Sequence, residues 1–401
     1  MNPHDTSPAP PPAAWKQAAR RQLWFVWKWF QRGWRSILPP RATYSSLVSL
    51  DAVDEAWPVY RQIFAAPFVH NRRPEDEAVF QVHHVYAHRE VTLPPISLNR
   101  IPRAQLCVLS GLILDARDRI VVESAKGLAM IPLYPEFGRL RRWSKVPYRD
   151  HPLVSTIMGY SAKANWFHWV VDSLPRLYAL SQVDDEIALL VPPSLGGARR
   201  TILEWALPAN VRLCTVDEKR PVACENILLS PFTTISGCGL LRPEIAQYLR
   251  AKVFAHVDRA AGPPYSKRIY TTRKFDPVRR VANEDELVAA LEPLGFQVVY
   301  PGKMSLADQV RCFAGAEIVV GAHGANLTGL LFASGATAIE IAPLNLCYWG
   351  LCASVGNRHV AIPPEIDSSG EHAVLRRVVD AAQEFRVDVA SVVRAVQAAI
   401  A

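Results

Sequence analysis

This 401-residue chain lacks the marks of several protein classes. Its seven cysteines are scattered and contain no Cys-x-x-Cys pair. That argues against a disulfide framework or a zinc site and for reduced thiols in a cytosolic protein. No Asp-x-Asp triplet occurs, so the carboxylates that often hold a cation on a diphosphate are missing. No Gly-x-Gly-x-x-Gly follows a strand, which weighs against a dinucleotide-dependent dehydrogenase. Zinc-finger spacing, a recognition helix and an RNA-binding signature are also lacking, so no nucleic acid partner is expected. The net charge of +8 then points to phosphate-bearing ligands or an anionic membrane surface. Half of the residues are apolar, and the length suits two domains plus extras.

Acids are absent between residues 15 and 35, where tryptophans are dense. Leu23, Trp27, Phe30, Trp34 and Ile37 recur at helical steps, while Arg21, Lys28, Arg32 and Arg35 line a different face. This is the pattern of a helix lying in a membrane interface, Trp at headgroup level and cations toward anionic lipid. The alternative is a helix packed on protein. The segment is too short and too charged to span a bilayer. Lys28 interrupts the apolar run, and no small-residue cleavage site follows, which argues against a secretory signal. Residues 8–12 form a Pro-rich lead.

The most informative stretch is Gly321–Gly335, GAHGANLTGLLFASG. An apolar run, Ile318-Val319-Val320, stops at Gly321, and a small-residue turn carries His323, Gly324, Ala325 and Asn326 into an apolar segment read as a helix from Ala325 to Ala333. A strand-to-helix turn of this kind offers free N–H groups and a positive helix end to an anion. Strand and helix signals alternate around it. Residues 268–272, 296–300, 318–320 and 337–341 read as strands. Asn283 and Glu286 read as a capping box opening a helix, and Ser305 and Asp308 start another. The order predicts a parallel, doubly wound sheet with ligands beyond the carboxyl ends of its strands. Four cations, Arg273, Lys274, Arg279 and Arg280, follow the first strand within eight residues. Arg273 is the strongest phosphate ligand among them. Glu340, alone in an apolar strand, needs a partner: a ribose hydroxyl pair or an arginine.

A second cluster lies in Asn165–Arg176, NWFHWVVDSLPR. Helical spacing puts Asn165, His168, Asp172 and Arg176 on one face, with His168 and Asp172 one turn apart. A carboxylate beside an imidazole is a common way to make a general base, although an i,i+4 pair on a solvated face has the same spacing. Pro175 should kink or end the helix.

Together these motifs resemble glycosyltransferase family 61. The resemblance rests on Thr272-Arg273-Lys274, on Arg279/Arg280 followed by Asn283-Glu284, on the Gly321–Ala325 turn, on Glu340, and on the N-x-x-H-x-x-x-D-x-x-P-R pattern of Asn165–Arg176. It is dense over roughly 80 residues of the C-terminal half, with several motifs agreeing in order and spacing. The family often has Ser-Arg-Arg where this chain has Thr-Arg-Lys, and Asn where it has Gly329.

The resemblance implies an α/β, GT-B-like fold of two Rossmann-like domains facing a central cleft, and transfer of sugar from a nucleotide-sugar, a UDP-sugar by preference, to a glycan or lipid-linked acceptor. It makes His168 or Asp172 the base of an inverting displacement. Donor contacts would come from Asn165, Arg176, Arg273, Lys274, Arg280, Asn283, His323, Gly324, Ala325, Asn326 and Glu340. With cations and a helix end at hand, no metal and no cofactor are expected. The expected organisation is a tail and interfacial helix over 1–40, an acceptor domain over 41–258, a linker at 260–266, a nucleotide-sugar domain over 267–365, and a C-terminal helical segment, 366–401, packing back on the first domain. The enzyme would work in cell-surface polysaccharide synthesis from the cytoplasmic face of the membrane. The alternative is a non-catalytic scaffold of the same fold.

Overall fold

The computed structural model describes residues 47–48, 57–71, 90–126, 145–159, 162–163, 165–235, 238–343, 345–364 and 384–401. The Trp-rich segment 15–38 lies outside them. Apart from Leu47 they belong to one compact unit, Val48–Ala401. Among the described residues no helix is long and apolar enough to cross a membrane.

The first half is built on a mixed sheet. Its backbone is β1 (Ile96–Cys107), β2 (Leu153–Ser155), β3 (Ile187–Val191), β4 (Val211–Thr215) and β5 (Val222–Leu229), in spatial order β1-β5-β2-β3-β4. Strands β5, β2, β3 and β4 are mutually parallel, and β1 is antiparallel to β5. One side of this sheet is therefore parallel, as an α/β fold requires. The other side is hairpin-built, because short connections permit only antiparallel neighbours. Leu106–Leu114 comprises the end of β1, a turn through Gly111 at φ 75, and a separate strand Leu112–Leu114. A Cβ at Gly111 would lie 2.0 Å from the Met158 carbonyl oxygen, so the turn needs glycine on two counts. Helix α1 (Gly197–Ala206) follows β3, and α2 (Pro243–Phe254) follows β5.

The second half is a parallel sheet of β6 (Arg268–Thr271), β7 (Phe296–Val299), β8 (Ile318–Ala322), β9 (Thr337–Ile341) and β10 (Arg358–Ile362), in the order β7-β6-β8-β9-β10. Helices α3 (Glu284–Leu291), α4 (Leu306–Ala314) and α5 (Cys347–Val355) link its strands. The chain leaves β6 to one side for β7 and returns to the other side for β8. The gap between the ends of β6 and β8 is thus the switch point at which ligands of open α/β sheets bind.

Two details differ from expectation. The segment after β8 is a 3₁₀ helix, Ala325–Leu331, tighter and shorter than an α-helix. It passes Phe313 so closely that a Cβ on Gly329 would lie 2.2 Å from the ring, which accounts for glycine where the family often has asparagine. Among the described residues helix α6 (Val389–Ile400) packs on its own half and not on the first. Its buried Val392 and Val396 join Val320, Ile339 and Ile341 over the second sheet. The strand before it, Glu384–Phe385, pairs with Arg280–Val281. An apolar stripe is buried by the nearest uncovered sheet face, and here that face belongs to its own half. The linker residues 260–264 are exposed, yet one apolar cluster runs from Trp169, Leu177 and Leu249 to Phe313, Val319 and Leu330, joining both halves.

Candidate active site

The segment around His168 is helical but not a regular α-helix. Asn165 Oδ1 accepts from the Phe167 N–H at 2.9 Å and so caps the first turn. Residues His168–Ser173 then wind as a π-helix, in which the Leu174 N–H reaches back to the Trp169 carbonyl. Leu174–Arg176 tighten into a 3₁₀ turn. Pro175 has no N–H and its ring crowds the preceding turn, so a locally widened helix relieves it.

On this helix His168 Nδ1 donates to Asp172 Oδ2 at 2.7 Å, a direction fixed because a carboxylate only accepts. Asp172 is 3 % exposed, whereas the His168 side chain is about a third open. Asp172 Oδ1 accepts from Lys126 Nζ at 2.6 Å and from Thr234 Oγ1 at 2.7 Å. Burial pushes this carboxyl up, but the Lys126 charge and the His168 hydrogen bond outweigh it and hold the pKa at about 2. The pair reads as an ionised, immobile carboxylate orienting a half-open imidazole whose Nε2 faces away.

Arg176 goes elsewhere. It is fully buried, its Nε donating to the Ser230 carbonyl at 2.7 Å and its Nη1 to that of Met158 at 2.8 Å, with the guanidinium 4.6 Å from the Phe232 ring centroid. The 3₁₀ turn at Pro175 aims it inward. In this geometry it braces the strand ends.

At the switch point Arg273 sits just beyond β6, 5 % exposed. Its Nη2 bonds to the Val278 carbonyl and to Asp276 Oδ2, each at 3.1 Å. Its Nε is buried with no hydrogen-bond partner among the described residues. Burial pulls it below the ordinary arginine value, with Asp276 opposing. The guanidinium presses against the His323 turn: a Cβ at Gly324 would be 1.6 Å from Nη1. Asp276 gathers the rest of the loop, accepting from Asn326 Nδ2 at 3.3 Å and from the Tyr300 hydroxyl at 3.0 Å. Asn326 Nδ2 also holds the Thr272 carbonyl at 2.9 Å. Thus Arg273, Gly324, Ala325 and Asn326 are brought together at one edge.

The side chains that partner Glu340 do not include an arginine. They are a pair of histidines. His323 Nδ1 donates to Oε1 at 2.5 Å and His359 Nε2 to Oε2 at 2.7 Å. Register explains this: Ala338 pairs with His359 and Glu340 with Ala361, so His359 lies on the adjacent strand on the same face. Burial raises the Glu340 carboxyl, but the two imidazoles, His323 first, bring it down to about 2.

The two clusters meet through aromatic rings. Phe167 is edge-on to His168 at 5.7 Å and to Tyr348 at 5.2 Å, and Tyr348 is edge-on to His323 at 5.3 Å. The Tyr348 hydroxyl donates to the Gly324 carbonyl. Glycine at 239 permits this approach, since a Cβ there would lie 2.2 Å from the Cys347 carbonyl oxygen and 3.0 Å from Phe167.

The remaining candidates lie outside this group. Lys274 is exposed and paired with Asp285 at 2.9 Å. Arg280 pairs with Glu384. Asn283 does not cap α3. Its amide instead bonds both ways to the Val387 backbone, at 2.9 and 3.1 Å, tying down the chain before α6. Its neighbour Glu284 is buried and accepts from Tyr270, at 2.7 Å, and from Thr272, at 2.8 Å, steadying the end of β6. Sequence reasoning missed Lys126, Thr234, Asp276, Tyr348 and His359. Lys126 carries no local signal, being 46 residues from Asp172 in the chain. His359 could have been found as a lone polar residue in a strand next to the one bearing Glu340. Among the described residues no group of three or more His, Cys, Asp or Glu could hold a metal ion. None of the seven cysteines is in a disulfide, and burial pushes the Cys224 and Cys312 thiols up to about 12.

Residues 166–339 match the family model for Glycosyltransferase 61. The chain carries a glycosyltransferase family 61 region. It holds the His168–Asp172 pair, the Arg273 loop and the His323 turn, and stops one residue before Glu340. No curated protein matches the chain. Two solved structures similar to it are the dodecameric iron-containing heptosyltransferase TibC in complex with ADP-D-beta-D-heptose and the bacterial iron-containing dodecameric glycosyltransferase TibC from enterotoxigenic E. coli H10407. Each is 15% identical, with TM-scores of 0.26 and 0.25 respectively. Each match covers 49% of this chain and 59% of the other, so the chain spans less than two thirds of those proteins.

Proposed function

We propose that the chain transfers a sugar from a nucleotide-sugar, a UDP-sugar by preference, to a glycan or lipid-linked acceptor by a single inverting displacement in a GT-B-like cleft. The observation that carries this reading is the Phe167–Tyr348 contact, which sets an oriented imidazole, His168, beside the switch point of a parallel sheet carrying Arg273 and the His323 turn.

Glycosyl transfer needs a base for the acceptor hydroxyl and a positive site for the departing diphosphate. His168 is the base. Its Nδ1–H is committed to Asp172, which leaves Nε2 to take the proton. Asp172 is the orienting group, because a carboxylate at about 2 accepts a proton poorly near neutrality. Arg273, with its unpartnered Nε, and the N–H groups opening the 3₁₀ turn receive the diphosphate. These charges can do the work of a cation, so no metal is required. The tryptophan-rich segment 15–38 holds the protein on the cytoplasmic face of the membrane, where surface polysaccharide is assembled.

Calorimetric titration of the full chain with UDP, GDP, CDP and CMP sugars, with and without EDTA and beside Arg273→Ala, tests this. One nucleotide class should bind, insensitive to EDTA and lost in the variant. A folded sample that binds none of them overturns the donor site and favours a non-catalytic scaffold.

A further inference from the structure

The trio His323–Glu340–His359 does more than neutralise a buried acid. Glu340 accepts from both rings, so His323 Nδ1 and His359 Nε2 each hold a hydrogen. The other nitrogens differ. His359 Nδ1 is buried and has no partner among the described residues. Hydrogen there would be a buried donor with nothing to receive it, which is unfavourable and more so on a charged ring. His359 is therefore the neutral member, bare at Nδ1. His323 keeps 7 % of its surface open at the switch point, and its Nε2 has no partner among the described residues. A further proton on the trio has its place on His323 Nε2, since His359 Nδ1 has no group to receive one.

We propose that His323, as an imidazolium, gives its Nε2 proton to the leaving diphosphate, and that His359 is a positioning residue acting through Glu340. This rests on the transfer reading above. The acceptor oxygen bonds to the anomeric carbon and its proton passes to His168 Nε2. The bond from that carbon to the diphosphate breaks, its electron pair stays on the phosphate oxygen, and that oxygen takes the His323 proton. Exchange with water restores both histidines.

The groups facing His323 allow the charge. Glu340 bonds to it, and Tyr348, edge-on at 5.3 Å, stays a neutral phenol because burial, with Cys347 and Glu340 nearby, pushes its hydroxyl well above the usual range. Arg273 lies against Gly324, but Asp276 offsets its charge at 3.1 Å. The turn itself is pinned. The His323 N–H bonds to the Ile341 carbonyl at 2.9 Å, and the next residue, Ala342, is held at φ 52, a left-handed conformation that non-glycine residues rarely adopt.

Histidine-selective ¹⁵N labelling of the full chain, read by NMR from acid to alkaline pH, tests the proton placement. His323 should hold hydrogen on both nitrogens at neutral pH, and His359 on Nε2 alone. His359→Gln retains an N–H for Glu340 and should leave the His323 titration in place, whereas His359→Leu should move its midpoint by about half a pH unit or more. A neutral His323 near pH 7, or a midpoint that neither substitution moves in folded protein, overturns the proposal. Inorganic pyrophosphate tests delivery. Wild type should bind it about tenfold more tightly than His323→Asn below the His323 midpoint, and the two should converge above it. Equal affinity at every pH overturns the role of His323. If the trio titrates as described but neither pyrophosphate nor any nucleotide-sugar binds, the transfer reading fails, and the proton placement stands without it.

Discussion

Replacing Asp172 by Asn tests the base assignment most directly, because it changes one charge and almost no volume. The carboxylate is 3 % exposed and holds Lys126, Thr234 and His168 at 2.6, 2.7 and 2.7 Å. An amide can still accept from Lys126 or Thr234, but it then presents an N–H to His168. The imidazole must answer with a bare Nδ1, so its hydrogen moves to Nε2, where the acceptor proton should go. The tautomer is wrong for a base, and turnover should fall about 10³–10⁴-fold, as when an orienting carboxylate is lost from a catalytic triad. The fold also loses an ion pair. The pKa of about 2 against the ordinary 3.8 corresponds to about 2 kcal/mol at neutral pH. Lys126 keeps 18% of its side chain open to water, so its stranded charge adds little more. Urea unfolding measures the stability loss, calorimetry the nucleotide affinity and a sugar-transfer assay the turnover. Nucleotide affinity should stay within about twofold, since the pair touches no donor group. A folded variant that retains turnover within about threefold refutes the orienting role. One that loses nucleotide binding instead moves Asp172 into the donor site.

Four further outcomes are expected. Asp172 and Glu340 both have depressed folded pKa values, about 2 against 3.8 and 4.5, so the stability they contribute is present above pH ~4.5 and is lost as pH falls toward about 2. Glu340→Gln should flatten the acid limb of a urea-midpoint titration, and an unchanged limb would contradict the trio. Arg273→Lys should lose about tenfold or more in nucleotide affinity, because a point charge cannot reproduce a guanidinium laid on Gly324; affinity equal to wild type by calorimetry would exclude a phosphate fork. Gly324→Ala puts a methyl 1.6 Å from Arg273 Nη1 at a backbone position that any residue can adopt, so it should weaken nucleotide binding sterically at a stability cost of about 1–3 kcal/mol. Arg176→Met should lower stability by about 3 kcal/mol or more in urea melts, leaving the Ser230 and Met158 carbonyls unpaired; a variant as stable as wild type would refute its bracing role.

What was legible in the sequence was what sequence spacing encodes. Strands with β-branched runs and helices with clear stops gave the second sheet nearly element by element. His168 and Asp172 lie on one helix, so their meeting follows from a step of four. The π-winding did not follow, because it arises from what Pro175 lacks and from the packing around Trp169. Glu340 was recognisable as a carboxylate in need of a partner, but the partner depended on which strand lies beside β9 and in what register. The fate of Arg176, Asn283 and Lys274 was hidden for the same reason: each finds its partner across the fold, at Ser230, at Val387 and on α3. Likewise the valine stripe of α6 announced a buried face without saying which sheet would cover it.

The two histidine–carboxylate pairs share a chemistry but are built by different means, and that difference suits different tasks. The His168 pair lies along a single helix, with the imidazole about a third open and Lys126 compensating the acid from the far side. Such a ring can meet an acceptor that arrives from solvent. The His323 pair is locked between two central strands, with a second histidine closing the other side of the carboxylate. Such a ring is held still against a turn. Between them stand Phe167 and Tyr348, with ring centroids 5.2 Å apart. A chain of hydroxyls or waters in that place would let a proton pass straight from the acid to the base. The carbon edge of Phe167 cannot carry one. The Tyr348 hydroxyl is already committed to Gly324. The apolar spacer stands between the two imidazoles and separates their protons, so on the proposed reading each exchanges through substrate or solvent.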